Sequence, residues 1–267
     1  MTVLKAAVFD WAGTVIDHGS QAPMGAFVAA FAQFGVTISI AQARGPMGLP
    51  KRDHIATLMA LPEVAAGWRA AQGGEPGEAA IDRLLAVFEP LNIAAVADHA
   101  ALIPGAMDTI TALRARGLKI GSTTGYTRPI MERVLPLAAA QGYAPDSLVC
   151  AGDLPAGRPT PLMMYRTFLD LGVWPAWSVV KVDDTAPGIA EGIAAGTWTV
   201  GIAMTGNAVG LSAAKLAALP EEERAVLRHT AGAELLRAGA HVVVDSIADL
   251  LPVVDAIEGR LARGERP

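Results

Sequence analysis

Residues Lys5–Thr14 read KAAVFDWAGT, an apolar run that ends at Asp10 and is followed by a loop containing Gly13. A short apolar run bounded by turn residues predicts a buried strand over Lys5–Phe9. A carboxylate at the end of such a strand can attack phosphorus and form an aspartyl-phosphate, which makes Asp10 a candidate nucleophile. Taken alone, the motif is equally typical of an aspartate that caps a turn.

Further β-rich runs alternate with helical patterns such as Met107–Arg116 and Pro129–Gln141. The predicted strands are Lys5–Phe9, Lys119–Ser122, Ser147–Cys150, Ser178–Val182, Thr197–Ile202 and His241–Val244. This alternation predicts an α/β fold with a doubly wound, Rossmann-like parallel sheet. Ligands bind such sheets at the carboxyl ends of the strands, and Asp10, Thr123–Gly125 and Asp183–Asp184 are predicted to lie just past strand ends.

The segment from about Gly19 to His99 interrupts the alternation. It carries helical patterns, as in Pro23–Phe34 and Ala79–Phe88, and no convincing strand. We interpret it as an inserted α-helical cap over the edge of the sheet. The predicted domains are a core of residues 1–19 and 100–267 and a cap of residues 20–99.

Composition excludes several classes of protein. The chain has 267 residues, of which 52% are apolar and 18% charged, so a large core is expected and disorder is not. The formal net charge is −5, and no basic block suggests nucleic-acid binding. No apolar run reaches the roughly 18 residues of a membrane span. The single cysteine and the lack of a signal-peptide pattern at the N-terminus make a cytoplasmic location the expectation.

Three further segments carry groups that suit phosphorus chemistry. Thr124 and Gly125 can hold phosphoryl oxygens through hydroxyl and N–H groups. Arg158 lies in a stiff, proline-flanked loop and can neutralise both a carboxylate and an anionic substrate. Asp183 and Asp184 suit a hard cation such as Mg²⁺. An ordinary turn, a surface arginine and a helix N-cap are the respective alternatives.

One physical requirement connects these segments. A dianionic phosphoryl group and the attacking carboxylate of Asp10 repel each other. A divalent cation and an arginine offset that repulsion and stabilise charge in the transition state.

The order of these motifs, an aspartate nucleophile, a threonine, a basic residue and an acidic pair, resembles the haloacid dehalogenase superfamily over nearly the whole chain. The resemblance implies a core of that fold with a helical cap, and Mg²⁺ bound by Asp10, the Ala12 carbonyl and Asp184. Asp183 is a candidate for a supporting residue that contacts the metal's ligands and not the metal itself. Phosphatases of the superfamily usually carry an acid where this chain has Ala12, which disfavours phosphate-ester chemistry. Gly188 stands where some members have a further acid.

Four segments narrow the resemblance to the phosphonoacetaldehyde hydrolase family; they are Asp10–Thr14, Met47–His54, Gly121–Arg128 and Pro155–Pro159. The resemblance implies that Lys51 forms a Schiff base with the substrate aldehyde, and that the C–P bond is hydrolysed to acetaldehyde and phosphate in the degradation of 2-aminoethylphosphonate. It also implies a homodimer, for which Pro23–Phe34 offers an apolar surface. The substrate-binding residues expected with it are Met47, Gly48, His54, Thr124, Gly125, Tyr126 and Arg158.

Imine chemistry explains why the acid at position 12 is dispensable. Carbon is a poor leaving group, but a protonated imine accepts the bonding electrons and lets the carbon depart as an enamine. Lys51 must be neutral to attack the aldehyde, and partial burial under the cap would lower its pKa from about 10.4. His54, one helical turn further on, is a candidate proton shuttle. A surface lysine and a structurally satisfied histidine are the alternatives.

Two other functions stay open on the sequence alone. The first is a capped phosphatase that acts on a small phosphate ester. The second is a non-catalytic sensor of a phosphorylated ligand, although a sensor has no need of the nucleophile Asp10.

Overall fold

Six strands form one parallel sheet in the computed structural model, which describes residues 3–267. The strands are β1 (Ala6–Phe9), β2 (Lys119–Thr127), β3 (Ser147–Ala151), β4 (Val179–Asp183), β5 (Trp198–Ile202) and β6 (Val242–Val244). Their order across the sheet is β3-β2-β1-β4-β5-β6. The strand that precedes Asp10 therefore lies at the centre, between β2 and β4, as the α/β prediction requires.

The helices fall into two groups along the chain. The first group follows β1 and comprises α1 (Ala22–Gln33), α2 (Ile40–Arg44), α3 (Lys51–Met59), α4 (Pro62–Gln72) and α5 (Glu78–Val96). The second group belongs to the sheet and comprises α6 (Ala106–Ala115), α7 (Arg128–Ala139), α8 (Leu162–Leu171), α9 (Ala186–Ala194), α10 (Ala213–Ala217), α11 (Glu221–Arg237) and α12 (Leu250–Ala262). Short 3-10 helices lie at Ala97–His99, Ala176–Ser178 and Ile247–Asp249.

Apolar side chains cover both faces of the sheet, as expected for strands with near-continuous apolar sequences. On one face, α6, α7 and α12 pack against residues such as Phe9, Ile120 and Val182. On the other face, α8 packs against Ala6 and Val8, while α9 and α11 form a neighbouring cluster. The sheet is thus buried on both sides, and its polar groups are confined to its edges and strand ends.

The first group of helices has a hydrophobic core of its own, in which α1, α3 and α5 meet. Phe27 stacks on Phe88 with ring centroids 4.2 Å apart, and Phe31 is fully buried beside them. These helices form the cap, and the predicted domain boundaries at residues 19 and 99 stay a prediction. The large apolar side chains of Pro23–Phe34 are buried inside the cap, and the suggestion that this segment offers a dimer surface stays a prediction.

An arginine holds the cap to the core away from the sheet edge. Arg44, the last residue of α2, donates hydrogen bonds to the carbonyl oxygens of Gly19, Asn207 and Gly210 at 2.9, 3.3 and 2.9 Å. In addition, Asn207 Nδ2 donates a hydrogen bond to the Arg44 carbonyl oxygen. The cap is therefore tied to the loop after β5 as well as to its own two connections.

Two strand ends differ from the sequence-based prediction in ways that matter for the site. β2 extends to Thr127, so Thr123–Gly125 lie inside the strand and not beyond it, and the pairing with β3 shifts register between Thr124 and Thr127. Asp183 is the last residue of β4, and only Asp184 lies beyond the strand. Propensity alone could not place these ends, because threonine and glycine there are held by pairing with β3.

No helix among residues 3–267 combines the length and the apolar character that crossing a membrane requires.

Candidate active site

Asp10 occupies the carboxyl end of the central strand, and its carboxylate is nearly inaccessible to water. Its backbone N–H continues the sheet pairing by donating to the Val182 carbonyl at 3.0 Å. Burial and, next, the charge of Asp183 raise the pKa of Asp10 to about 6, although Arg158 and Lys181 oppose the rise. The carboxylate is thus ionised at pH 7 and depends on nearby positive charge.

Arg158 supplies part of that charge from the loop between β3 and α8. Its Nη2 donates to Asp10 Oδ1 at 2.8 Å and to the Thr123 carbonyl at 2.7 Å. Burial alone would lower the pKa of Arg158, but the carboxylates of Asp183, Asp10 and Glu191 outweigh it, so the guanidinium stays charged. The proline-flanked loop therefore places a cation against the Asp10 carboxylate.

Asp184 lies on the other side of Asp10. Its Oδ1 accepts from the Thr14 hydroxyl at 3.1 Å, and its Oδ2 accepts from the Asn207 N–H at 2.7 Å. Burial and the charges of Asp10 and Asp183 raise the pKa of Asp184 well above its ordinary value. Such a carboxylate is stable as an anion only with an additional cation nearby.

Three carboxylates at this edge can hold a metal ion. One oxygen each of Asp10, Asp183 and Asp184 lies within 4.8 Å of the others. Together with Glu191, these form four buried carboxylates, whereas Arg158 and Lys181 are the two cations in ion-pair contact with them. The excess of negative charge matches one divalent cation, so the residues present fit a metal such as Mg²⁺.

The cap contributes Lys51, the first residue of α3, whose side chain faces the core and is only 3% exposed. Its Nζ lies 5.7 Å from the ring centroid of Phe27, 5.3 Å from that of Tyr126 and 3.9 Å from Met47 Sδ. Within residues 3–267 it forms no ion pair. Burial lowers the pKa of Lys51 to about 8, with the charge of Asp10 opposing the change.

Cap and core side chains share one small cavity of about 20 Å³. It is lined by Asp10, Ala12, Ser20, Met47, Gly48, Lys51, Thr124, Gly125, Tyr126, Arg158 and Thr185. That volume holds about one water molecule. The cap thus brings the Lys51 amine to the same small cavity as the Asp10 carboxylate.

Glycines allow the cap loop to approach the core this closely. A Cβ at Gly48, where φ is +94°, would lie 2.3 Å from Thr185 Oγ1. A Cβ at Gly125 would lie 3.2 Å from the Leu49 carbonyl oxygen. Both glycines, predicted as substrate-binding residues, therefore line the cavity through their backbone.

Two aromatic residues predicted at the site are placed differently. Tyr126 lines the cavity with a buried hydroxyl that has no partner within the described chain, and burial raises its pKa well above the usual range, so it stays a neutral donor. His54 lies behind the cavity lining, stacked on Phe27 at 4.0 Å, with Nε2 at 2.9 Å from the Ala43 carbonyl. Burial and the nearby Lys51 charge lower the pKa of His54 to about 3.

Sequence reasoning missed several residues that the fold brings to this place. Lys181 and Glu191 are fully buried beside Arg158. Their signal was a charged residue inside an apolar strand or helix, which is rare unless it is paired. Ser20 lines the cavity with φ of +50° and a buried hydroxyl, and no sequence pattern distinguishes it from an ordinary loop serine.

The haloacid dehalogenase-like hydrolase family matches residues 4–196. Curated relatives named phosphonoacetaldehyde hydrolase include those of Paraburkholderia phytofirmans, 57% identical over 100% of both chains, and Klebsiella pneumoniae, 50% identical over 100% of both. This chain belongs to the haloacid dehalogenase-like hydrolase family.

The solved structures agree with this assignment. The crystal structure of a phosphonoacetaldehyde hydrolase-like protein from Oleispira antarctica is 43% identical, with a TM-score of 0.98 over 99% of this chain and 96% of that one. A β-phosphoglucomutase from Clostridium difficile, 15% identical with a TM-score of 0.70 over 97% of this chain and 99% of that one, shares the fold. The superfamily resemblance and the fold class drawn from the motifs are confirmed.

A glycine that lies against Asp184 gives a test of the acidic site. Gly13 has φ of +84°, and a Cβ there would lie 2.2 Å from Asp184 Oδ2. Gly13→Ala should displace that carboxylate and weaken binding of Mg²⁺ at least about tenfold, measured by isothermal titration.

The matched control is Gly25→Ala, because a Cβ at Gly25 in α1 meets nothing within 4 Å. It should leave Mg²⁺ binding unchanged. Equal affinity in Gly13→Ala and in the control would contradict a metal site at Asp184.

Proposed function

We propose that this chain hydrolyses the C–P bond of phosphonoacetaldehyde to acetaldehyde and phosphate. The observation that carries the proposal is the buried Lys51, which lines the same small cavity as Asp10 and Arg158 although it comes from the cap. An amine is needed for an aldehyde, and a carboxylate with an arginine for a phosphonate. The names of the relatives support this substrate.

The first steps belong to Lys51. Its neutral amine attacks the aldehyde carbon, and with one proton taken up from solvent the aldehyde oxygen leaves as water, which gives a protonated imine on Nζ. Tyr126, a neutral donor in the cavity, can hydrogen-bond the aldehyde oxygen while it is present. We propose Met47 and Gly48 as the cap residues that shape this end of the site.

The second stage belongs to Asp10. One carboxylate oxygen attacks phosphorus, the C–P bonding electrons move into the imine, and the two-carbon unit becomes an enamine on Lys51. Arg158, Thr124 and the Gly125 backbone are proposed to bind the phosphonate oxygens, since all three line the cavity. Ala12 is sufficient at its position because no oxygen leaving group requires a proton.

Water completes both halves of the reaction. The enamine is protonated on carbon, and hydrolysis of the resulting imine releases acetaldehyde and restores Lys51. A second water cleaves the aspartyl-phosphate and restores Asp10. His54 is proposed to accept a proton in the imine steps only transiently and as a neutral ring, because it lies behind the cavity lining and burial lowers its pKa to about 3. The accepting atom would be Nδ1, which has no partner within the described chain when Nε2–H donates to the Ala43 carbonyl.

We propose Mg²⁺ as the metal, bound by Asp10, the Ala12 carbonyl and Asp184. When bound, it offsets the repulsion between the Asp10 carboxylate and the phosphonate. Asp183 is less suited to binding it, because its carboxylate faces Arg158 and Lys181. We also propose that a small phosphonate is the substrate and that the protein is located in the cytoplasm.

Covalent trapping tests the role of Lys51 and separates this function from phosphate-ester hydrolysis. Borohydride added with phosphonoacetaldehyde should reduce the imine and leave an adduct on Lys51, detected by peptide mass spectrometry. Lys51→Arg should show no adduct, whereas Lys215→Arg, which alters an exposed lysine, should be labelled like the wild type. Wild-type protein that turns over substrate without any adduct at Lys51 would refute the Schiff base.

The pH dependence of trapping follows from the lowered pKa of Lys51. Only the neutral amine attacks, and its fraction grows as pH rises. Because the pKa of Lys51 is about 8, the initial trapping rate should increase with pH and level off above about pH 8. For a lysine with an ordinary pKa of about 10.4, the neutral fraction at pH 8 would be about 100-fold smaller, and the trapping rate would still rise above pH 9. The rate profile at saturating Mg²⁺ distinguishes the two cases.

We also propose a homodimer. Exposed apolar side chains lie on α8 and the loop that follows it, at Tyr165, Leu169 and Trp174. Leu169→Glu should lower the mass measured by sedimentation towards that of one chain, whereas Val226→Glu on exposed α11 should not. A wild-type mass of one chain would contradict the dimer.

A further inference from the structure

A buried cluster of charged side chains surrounds Arg158 behind Asp10. Besides Arg158, its members are Lys181, Asp183 and Glu191 and the hydroxyl of Thr123, and none of these four has a role in the steps proposed above. Lys181, Asp183 and Glu191 are all fully buried. Charges held this far from water require defined partners, so their arrangement is fixed by one another.

The contacts in the cluster converge on the guanidinium of Arg158. Glu191 Oε2 lies 3.2 Å from Arg158 Nε, and Asp183 Oδ2 lies 3.1 Å from Arg158 Nη2. The Nζ of Lys181 lies 3.0 Å from Asp183 Oδ2 and 3.2 Å from Glu191 Oε2, so it joins the two carboxylates. Arg158 is thereby held on the side opposite to the substrate, with Nη2 still donating to Asp10.

The two oxygens of Asp183 are both occupied by protein groups. Oδ1 accepts from the Thr185 N–H at 3.0 Å and from the Thr185 hydroxyl at 2.8 Å. Oδ2 faces the two cations, Arg158 and Lys181. Burial raises the pKa of Asp183, but these cations outweigh it and hold the pKa below its ordinary value. Asp183 differs in this from Asp184, which forms no ion pair within residues 3–267.

The space around Asp183 is shared with a second position in the chain. A Cβ at Gly188, in the first turn of α9, would lie 2.0 Å from both Cγ and Oδ2 of Asp183. The Asp183 carboxylate therefore fills the volume that a side chain at position 188 would enter. A carboxylate carried on position 188 would reach the same two cations once residue 183 is a glycine, and the first turn of a helix favours an acid.

We propose that Asp183 is a positioning residue, which with Lys181 and Glu191 sets the guanidinium of Arg158 against Asp10, and that position 188 can supply the same carboxylate. The effect on the reaction runs through Arg158 and not through the metal. The inference rests on the proposed function only in that turnover of phosphonoacetaldehyde is one of its readouts.

A relocation of the carboxylate tests the proposal. Asp183→Gly should lower kcat for phosphate release about 100-fold, because a misplaced guanidinium no longer orients the nucleophile, while KM changes little. The double variant Asp183→Gly/Gly188→Asp should recover to within about tenfold of the wild type. Gly188→Asp alone, which puts two carboxylates into one space, should be at least as impaired as Asp183→Gly.

Metal affinity separates positioning from ligation. Asp183→Asn keeps the shape of the side chain and should bind Mg²⁺ within about threefold of the wild type by isothermal titration, whereas Asp184→Asn should weaken binding at least about tenfold. Two results would overturn the proposal: a double variant that is folded but no more active than Asp183→Gly, or Asp183→Asn that loses Mg²⁺ as Asp184→Asn does.

Folding and turnover are read separately. If Asp183→Gly is unfolded by circular dichroism, recovery of the folded state in the double variant supports the shared carboxylate position, and lack of recovery overturns it. Wild-type protein that releases no phosphate from phosphonoacetaldehyde would refute the proposed function instead, and the comparison of folding and of Mg²⁺ binding would still decide the role of Asp183.

Discussion

The contact between Arg158 and Asp10 spans 2.8 Å with almost no access to water, and the rest of the site depends on it. A buried carboxylate beside another carboxylate would lose its charge, and a protonated Asp10 could not attack phosphorus. Arg158 favours the ionised form of the Asp10 carboxylate, and Arg158 itself remains charged because acids surround it. Charge neutralisation at the end of β1 is therefore the main constraint on the site, and the β3–α8 loop, β4 and α9 each contribute charged side chains to it.

The cap answers a different requirement, that of a reactive amine. Lys51 gains its low pKa from burial against Phe27, Tyr126 and Met47, and no carboxylate among residues 3–267 lies within ion-pair distance of it. Phe27 and Met47 belong to the cap itself, and Tyr126 completes this environment from the core. The cap thus buries the Lys51 amine beside the groups at the sheet edge.

Much of the fold followed from the sequence, because short apolar runs alternating with helical patterns leave few other arrangements. Asp10 and Asp184, which follow strand ends, and Thr124, which lies inside β2, were found because they are polar where the apolar pattern stops. Lys181 and Glu191 were not found from the sequence, since a charged residue inside an apolar segment does not indicate its partner. The two side chains meet because α9 packs against β4. The extension of β2 and the burial of α1 likewise depend on contacts distant in the chain.

The central claim is that Asp10 and Lys51 act on one substrate from opposite sides of one cavity. The most direct measurement is phosphate release from phosphonoacetaldehyde with Mg²⁺ present, by the wild type, Lys51→Arg and Asp10→Ala. The account expects release by the wild type and a loss of at least about 1,000-fold in each variant. Retained activity in Asp10→Ala would contradict it.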